Sequence, residues 1–485
     1  MFLSVNTIER FLLSKKITVT IMENAVFIFT PIDKKYKDAD THFAPPLGLV
    51  ALENYLFQHG FHVTIIDGSV QYALDEIKRL LISSKPMFVG QSIQLISYKN
   101  ALDIAGIVHS YGGINVFGGH HATQMCDSII YNQHDTVDYV MLGDGEEAWR
   151  QLLSGKPAEE IPNIVYWKDR VCHNPSQDIS FSAVPRLDYS RVDLTPYKER
   201  LASSNFFGNQ YSNYLRIYSH KGCGNRNNGN ACIFCGRSDQ GIRFKDPSMY
   251  WYDIQHCVNE MKGDYIFDVG DDLLYSAQIL KEYVSHKPDN LHHYELGVFG
   301  RANRVTEETS SLLRQLGAVN VTIGFETGDE EVMKRCNKLA SSPAQNMAAA
   351  DRLTRNGIDI TASYVLGMPG ENEKSLYNTL KNAEEVARIV MKNLGHPPSE
   401  LVANLLEPTP GSPAFKEMQR KFPEKYVLKD CLDLEEMQRD YFYTFFDIQT
   451  PADYHLLRKK LIKTAKEMHD LVPFSDSQGW LDGEL

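Results

Sequence analysis

At 485 residues the chain is too long for one ordinary hydrophobic core, so two or three domains are expected. Its 43% hydrophobic content, 32 glycines and 21 prolines are ordinary globular composition, which excludes fibrous and low-complexity classes. A formal net charge of -12 without a long basic run removes the electrostatic footprint of a duplex-binding protein, so no nucleic-acid partner is expected and a small or neutral substrate fits better. Eight unevenly spaced cysteines are too sparse for a disulfide scaffold and point to a reducing, cytoplasmic setting. No stretch approaches ~18 uninterrupted apolar residues, so no membrane span is expected. The first residues, up to Met22, lack an apolar core and cleavage site and read as a short extension, residues 1–22.

Chain order then gives strands alternating with helices. AVFIFT, Ala25 to Thr30, reads as a buried strand, and Pro45-Pro46 stand where a helix can begin. LGLVALENYLFQHG carries apolar residues on a helical period and stops at Gly60. HVTIID, PMFVGQSI, INVFGG and VDYVML supply four more strands, each preceded by a helix-like segment. This alternation predicts an open, doubly wound parallel sheet over residues 23–156, with ligands outside the carboxyl ends of its strands. Two loops at that edge are glycine-rich, FGGHHAT from Phe117 and LGDGEE from Leu142. Each alone is ordinary turn chemistry; two at one sheet edge favour a flat or phosphate-bearing ligand.

Between residues 157 and 212 the pattern weakens to a hairpin around Lys168-Asp169 and a polar interdomain linker. A second alternation follows. YIFDVG, HHYELGVF, VNVTIGFE, IDITASYVLG and ELVANLLEP read as strands, separated by helical segments, which predicts a full or partial barrel over residues 213–411. From Ser412 to 485 the pattern is helical, with an aromatic run, Tyr441 to Phe446, of the kind that packs a core.

The barrel region opens on an apolar run, Tyr214 to Tyr218, followed by a loop holding Cys223, Cys232 and Cys235. Three thiolates can hold three irons of a 4Fe-4S cluster and leave the fourth iron open. With His220 as a fourth donor they can instead close a structural zinc site. Cys257, Cys336 and Cys431 stand apart and read as free cysteines.

A strand followed by a loop ending Cys232-Ile-Phe-Cys235 resembles the radical S-adenosylmethionine (SAM) superfamily, and the later segments agree in order: YIFDVGDD, TIGFETGDEEVMKRCNK, ASYVLGMPGENEKSLYNTL and LEPTPGSPAF. The commonest family spacing is C-x3-C-x2-C, whereas this chain has C-x8-C-x2-C; the polar insertion is expected to bulge outward, because loop length costs little entropy. The zinc alternative leaves the barrel-like alternation unexplained. The resemblance implies a partial (β/α)6 barrel in which the three cysteines bind the cluster and SAM chelates its open iron. SAM would be cleaved there to a 5′-deoxyadenosyl radical. It further implies that Phe234 packs near the adenine, that Gly270, Asp271 and Asp272 hold the SAM amino group, and that Arg301 and Glu326 contribute polar contacts to SAM. An N-cap for Asp272 and an ion pair for Arg301 or Glu326 are the plain alternatives.

PPLGLVALENYL, HVTIIDGS, FGGHHAT and VDYVMLGDGEEAW together resemble the Rossmann-like cobalamin-binding domain that precedes many radical SAM barrels. That resemblance implies cobalamin near Ser92, Gly118, Gly119, His120, Gly143, Gly145 and Glu146. The cobalt-ligating D-x-H-x-x-G pattern is absent, since the expected loop reads SIQLISYKN, and His120 stands where proline is common, with His121 beside it. The whole implies a cobalamin-dependent radical SAM enzyme, with methyl transfer to an unactivated carbon first and a non-methylating rearrangement, cyclisation or epimerisation second. A transfer-RNA methylthiotransferase needs three N-terminal cysteines, and only Cys126 and Cys172 occur there. The partners implied are a small-molecule or peptide substrate and an external flavodoxin- or ferredoxin-type electron donor.

Overall fold

Short runs of β-branched and aromatic residues, buried on both sides, favour parallel strands covered by helices on two faces. The computed structural model describes residues 25–39, 42–178, 184, 186–204, 210–239, 241–338 and 340–472, so the extension 1–22 lies outside the described residues. The chain divides into two compact units, Met1–Asp40 with Gly48–Pro185, and Thr41–Leu47 with Arg186–Leu485.

The first unit is a seven-stranded sheet. Its strands are β1 (Ala25–Phe29), β2 (Val63–Asp67), β3 (Phe88–Ser92), β4 (Ile114–Gly118), β5 (Tyr139–Met141), β6 (Ile164–Trp167) and β7 (Val171–His173), in the order β2-β1-β3-β4-β5-β6-β7. Strands β1 to β5 pair in parallel. The period of two sends Phe27 and Phe29 to one face, against Leu56, Trp149 and Leu152, and Val26 and Ile28 to the other, against Ile77, Leu81, Ile104 and Val108. Helices Leu47–Gln58 and Glu146–Leu153 therefore supply one cover and helices Leu74–Ser84 and Tyr98–Ser110 the other, which makes the sheet doubly wound.

The hairpin expected within residues 157–212 forms, and it is part of the sheet rather than of a linker. Strand β6 pairs antiparallel with β5, Val140 opposite Val165, and β7 pairs with β6, so the first unit runs on to Pro185. The three-residue β5 would otherwise leave an open sheet edge, and the hairpin covers it.

The second unit carries six parallel strands, β8 (Tyr214–Ile217), β11 (Tyr265–Asp268), β12 (Glu295–Gly300), β13 (Ala318–Glu326), β14 (Asp359–Leu366) and β15 (Glu400–Leu405). Between β8 and β11 lies a separate antiparallel pair, β9 (His220–Gly222) with β10 (Ile242–Phe244). The order β15-β14-β13-β12-β11-β8 leaves the first and last strands unpaired with each other, the topology of a partial (β/α)6 barrel. Each crossover helix begins with a side chain that accepts a backbone N–H: Asp246, Ser276, Thr306, Ser342 and Asn372. Helices Pro413–Lys421, Pro423–Tyr426, Leu434–Phe445 and Pro451–His469 form the tail. Tyr441 and Phe442 are core residues, and the Tyr441 hydroxyl donates to the carbonyl of Gly367 at 2.7 Å. The last helix lies along the β15 edge, where His469 Nε2 accepts from the Ala403 amide at 3.4 Å.

A buried ion pair anchors the start of this unit. Lys245 Nζ lies 2.6 Å from Asp253 Oδ2, both side chains almost wholly enclosed, with the ammonium 3.5 Å from the centre of the Tyr218 ring. Asp253 Oδ1 also accepts from the Leu187 amide. Lys245→Met is expected to destabilise the protein by about 3–5 kcal/mol, because Asp253 is left charged and enclosed. Urea denaturation checks this, and Lys245→Met combined with Asp253→Leu is expected to recover part of the loss.

Candidate active site

The cysteine loop spans the β9–β10 hairpin. At its neck Gly222 has φ +93°, and a Cβ there would lie 2.2 Å from the Gly241 carbonyl, so only glycine lets the hairpin close. The loop's base is set by Asp268 at the end of β11, whose Oδ1 accepts from the amides of Ser219, at 2.9 Å, and Gly270, at 3.0 Å. His220 bridges the same segments. Its Nε2 accepts from the Asp272 amide at 3.0 Å, which assigns the proton to Nδ1 and a donated bond to Ser219 Oγ at 2.8 Å. Burial lowers the pKa of this imidazole, so the neutral tautomer is the stable one. With its Nε2 lone pair already engaged, His220 is not available as a zinc ligand.

The three loop sulfurs do not all lie within 4.8 Å of one another. A tetrahedral zinc site, with Zn–S bonds of about 2.3 Å, brings its sulfurs to within roughly 4 Å of one another. Among the described residues, the donor group gathered within 4.8 Å is Cys126, Asp127 and His173, not the three loop cysteines. In that trio the exposed His173 is paired through Nε2 with Asp127 Oδ1 at 2.5 Å. Burial, with smaller effects of Glu326 and Cys235, pushes the Cys232 thiol up to about 12, against the opposing charges of Lys338 and Arg301. Such a thiol keeps its proton until a bound cation takes its place.

The insertion between Cys223 and Cys232 does not bulge outward as its composition suggested. It folds into a 3-10 turn, Gly224–Gly229, that buries Asn225 and Arg226. Asn225 Nδ2 lies 3.2 Å from Cys232 Sγ, and Arg226 Nη1 lies 3.8 Å from Cys235 Sγ. The Cys232–Cys235 segment is held from two sides. The Ile233 amide donates to the Cys336 carbonyl and Asn337 Nδ2 to the Ala231 carbonyl, while the Ala414 amide donates to the Ile233 carbonyl. Thr409 Oγ1 donates to the carbonyl of the half-buried Phe234.

Gly270, Asp271 and Asp272 follow β11. A Cβ on Gly270 would lie 2.4 Å from the His220 ring, so the motif's glycine is a packing requirement. Asp271 is engaged by two guanidiniums, Arg226 at 2.7 Å and Arg237. Asp272 is buried; its Oδ2 lies 3.2 Å from Arg304 Nε, and its Oδ1 has no hydrogen-bond partner among the described residues. Burial raises this carboxyl to about 6 in spite of Arg304 and Arg301. An enclosed carboxylate oxygen without a donor is the chemistry that receives an ammonium, so the residues fit SAM at this point.

Arg301, just past β12, donates from Nη1 to Asn225 Oδ1 at 3.0 Å. Glu326, ending β13, has φ +60° at a register shift against β14 and pairs with Lys338 at 2.6 Å. A non-glycine residue in that region at a bulge is a costly local arrangement of the kind found where a side chain must be re-aimed. The structure thus brings Cys232 near Arg301 and Glu326, joined by Lys338 and Asn225. Sequence reasoning missed Asn225, Arg226, Arg304 and Lys338, because nothing in their local pattern marks a partner distant in the chain.

In the first unit Ser92 and Gly118 end β3 and β4 and face each other in register. Gly119, at φ +90°, packs against the Ile93 backbone, its Cβ position 3.1 Å from the Ile93 carbonyl. Gly143, at φ +56°, has open space where a side chain would stand, and Gly145 precedes the helix that begins at the buried Glu146. His120 is exposed, whereas His121 is buried with its ring centre 5.2 Å from that of Tyr98. These glycines leave bare backbone at one sheet edge, which fits a large flat ligand such as cobalamin. The loop Ser92 to Asn100 offers no imidazole.

Known proteins share both halves of this arrangement. Residues 40–153 match the B12 binding domain model and residues 217–383 the radical SAM superfamily model. The chain is 24% identical over 376 residues to the anaerobic magnesium-protoporphyrin IX monomethyl ester cyclase of Rubrivivax gelatinosus, covering 70% of this chain and 62% of that protein. It is 23% identical over 335 residues to the bacteriochlorophyllide d C-12(1)-methyltransferase of Chlorobaculum tepidum, covering 67% and 64%. The chain therefore spans about three fifths of the length of these curated relatives. Its fold is similar to that of the radical SAM methyltransferase TsrM from Kitasatospora setae, solved with cobalamin and a 4Fe-4S cluster bound, with TM-score 0.68 and 16% identity over 92% of this chain and 89% of that one. Two domain matches of this kind assign a 4Fe-4S cluster and SAM to the second unit and cobalamin to the first. Among the described residues no helix is long and apolar enough to cross a membrane.

The Asp272 geometry makes a pH-dependent prediction. Only the ionised carboxylate attracts an ammonium, so SAM affinity is expected to fall as pH drops through about 6. Asp272→Asn is expected to weaken binding about tenfold or more and to flatten that pH dependence. Calorimetric titration of the anaerobically reconstituted protein at several pH values checks both.

Proposed function

The chain joins a B12-binding domain to a radical SAM domain, and from that premise we propose that it is a cobalamin-dependent radical SAM methyltransferase acting on an unactivated carbon. The observation that carries the reading is this pairing of domains in one chain, with methyltransferases among the similar proteins. When bound, the cluster supplies the electron that opens the SAM sulfonium, and cobalamin carries a methyl group.

This chain's own residues bind and orient. Cys223, Cys232 and Cys235 would hold three irons and leave the fourth open. Asp272 Oδ1 would take the SAM ammonium, with Arg304 ion-paired to the other oxygen. Asp271, already engaged by Arg226 and Arg237, would stiffen the cysteine loop rather than meet SAM. Arg301 and Glu326 would give SAM polar contacts and Phe234 an apolar one. Gly118, Gly119, Gly143 and Gly145 would let a corrin approach the backbone, with Ser92, His120 and Glu146 at its margin. The substrate would be a small molecule or a peptide, and a one-electron donor protein would supply reducing equivalents.

A second reading keeps both cofactors without methylation, and the cyclase among the relatives favours it. Product mass separates the two, since methylation adds one methyl group per turnover. For the leading reading, anaerobic reconstitution is expected to give about four irons and about one cobalamin per chain. Replacing Cys223, Cys232 and Cys235 together by alanine is expected to abolish iron and sulfide while cobalamin is retained. Absence of cobalamin from protein with an intact cluster would falsify it.

A further inference from the structure

We propose that the long spacer between Cys223 and Cys232 is a redox-tuning element: Asn225 and Arg226 donate N–H···S hydrogen bonds to two of the ligand sulfurs and raise the reduction potential of the cluster. The proposal rests on the reading that these cysteines hold a 4Fe-4S cluster. A polar insertion without a task would lie in solvent, yet both side chains are enclosed, Asn225 at 4% and Arg226 at 5% exposure.

The orientation of the Asn225 amide follows from its neighbours. Arg301 Nη1, 3.0 Å away, can only donate, so the atom facing it is the amide oxygen. The amide nitrogen then faces Cys232 Sγ at 3.2 Å, the Asn230 carbonyl at 3.0 Å and the Asn337 carbonyl at 3.1 Å. Two hydrogens serve three acceptors, and the sulfur is one of them. Arg226 is held as firmly. Its Nη2 bonds Asp271 at 2.7 Å and also Asp239, and its Nε bonds the Asp239 carbonyl at 3.0 Å. That clamp leaves Nη1 aimed at Cys235 Sγ, 3.8 Å away.

Arg226 and Arg237 are matched by Asp239 and Asp271, so this patch adds little net charge and acts through its directed N–H groups. Reduction places negative charge partly on the sulfurs. A donor at sulfur stabilises the reduced form more than the oxidised one, and hydrogen bonding to sulfur is one of the recognised determinants of cluster potential. The commoner three-residue spacing has no room for such a turn. In this chain the longer spacing supplies it.

The test is a spectroelectrochemical titration of the reconstituted full chain, followed by electron paramagnetic resonance. Asn225→Ala and Arg226→Lys are each expected to lower the midpoint by an amount equal to roughly a tenfold change in the reduced-to-oxidised ratio, about 59 mV for one electron. Asn227→Ala removes a side-chain bond of the same turn, to the Gly241 amide, without touching a sulfur. That variant is expected to keep the wild-type midpoint. Should a variant fail to retain a cluster, the reduced wild-type protein still decides: deuterium exchange is expected to alter proton hyperfine couplings at the cluster. Unchanged midpoints in the Asn225 and Arg226 variants, equal shifts in all three variants, or no exchangeable coupling in the wild type overturn the proposal while the cluster assignment stands. A wild-type chain that takes up no cluster overturns the functional reading itself.

Discussion

One buried carboxylate organises the second unit. Asp268 ends β11 with its Oδ1 shared between the Ser219 and Gly270 amides, so the carboxyl ends of β8 and β11 are tied at a single oxygen. Ser219 and His220 lead into the cysteine hairpin, and Gly270 leads into Asp271 and Asp272. The neutral His220 ring then joins those two segments a second time, by accepting from the Asp272 amide. Each later feature inherits this geometry. Gly270 must lack a side chain because the His220 ring occupies that space, and the position of Asp272 follows from the bond its backbone makes.

Around that node charges are matched in pairs. Arg226 and Arg237 meet Asp239 and Asp271, Lys338 meets Glu326, Arg304 meets Asp272, and Lys245 meets Asp253. Enclosed ions are tolerated only when paired and hydrogen-bonded, which explains why the enclosed cations Arg226, Lys245 and Lys338 each meet a carboxylate. Asp268 Oδ2, Asp272 Oδ1 and Glu371 Oε1 have no hydrogen-bond partner among the described residues, and of these Asp272 Oδ1 belongs to the Gly-Asp-Asp motif and is the atom that a cationic ligand would complete. Glu371 shows the structural use of the same chemistry. Burial raises it to about 8, so it is largely protonated at neutral pH, and it closes the turn after β14 by accepting from the Gly367 amide at 2.5 Å.

Much of the architecture was legible in the sequence, because each element carries its own period and punctuation. Val26 and Ile28 against Phe27 and Phe29 announce a strand covered on both faces, and Gly60 marks a helix end by itself. The hairpin at residues 164–173 was legible as a hairpin but not as part of the sheet. Its own pattern does not say which edge it covers; the short β5 decides that. The site divides in the same way. The cysteine loop and the Gly-Asp-Asp motif stand out locally. Which aspartate keeps an unengaged oxygen depends on Arg226 and Arg237 reaching Asp271 from the cysteine loop.

By itself the sequence determined the alternation of strands and helices, the two glycine-rich loops at one sheet edge and the three thiols of a single loop. Those features are local, since their periodicity, glycines and spacing lie within a few residues of one another. Tertiary structure alone decided that His220 is spent on a backbone amide and that the polar spacer folds inward onto the sulfurs. It also decided that Asp272, not Asp271, presents an unsatisfied oxygen. Each of those outcomes is a competition among polar partners from distant segments: Asn225 hydrogen-bonded with Arg301, Arg226 with Asp271, and Asp272 ion-paired with Arg304. Such competitions have no local pattern, and folding resolves them only when those segments meet.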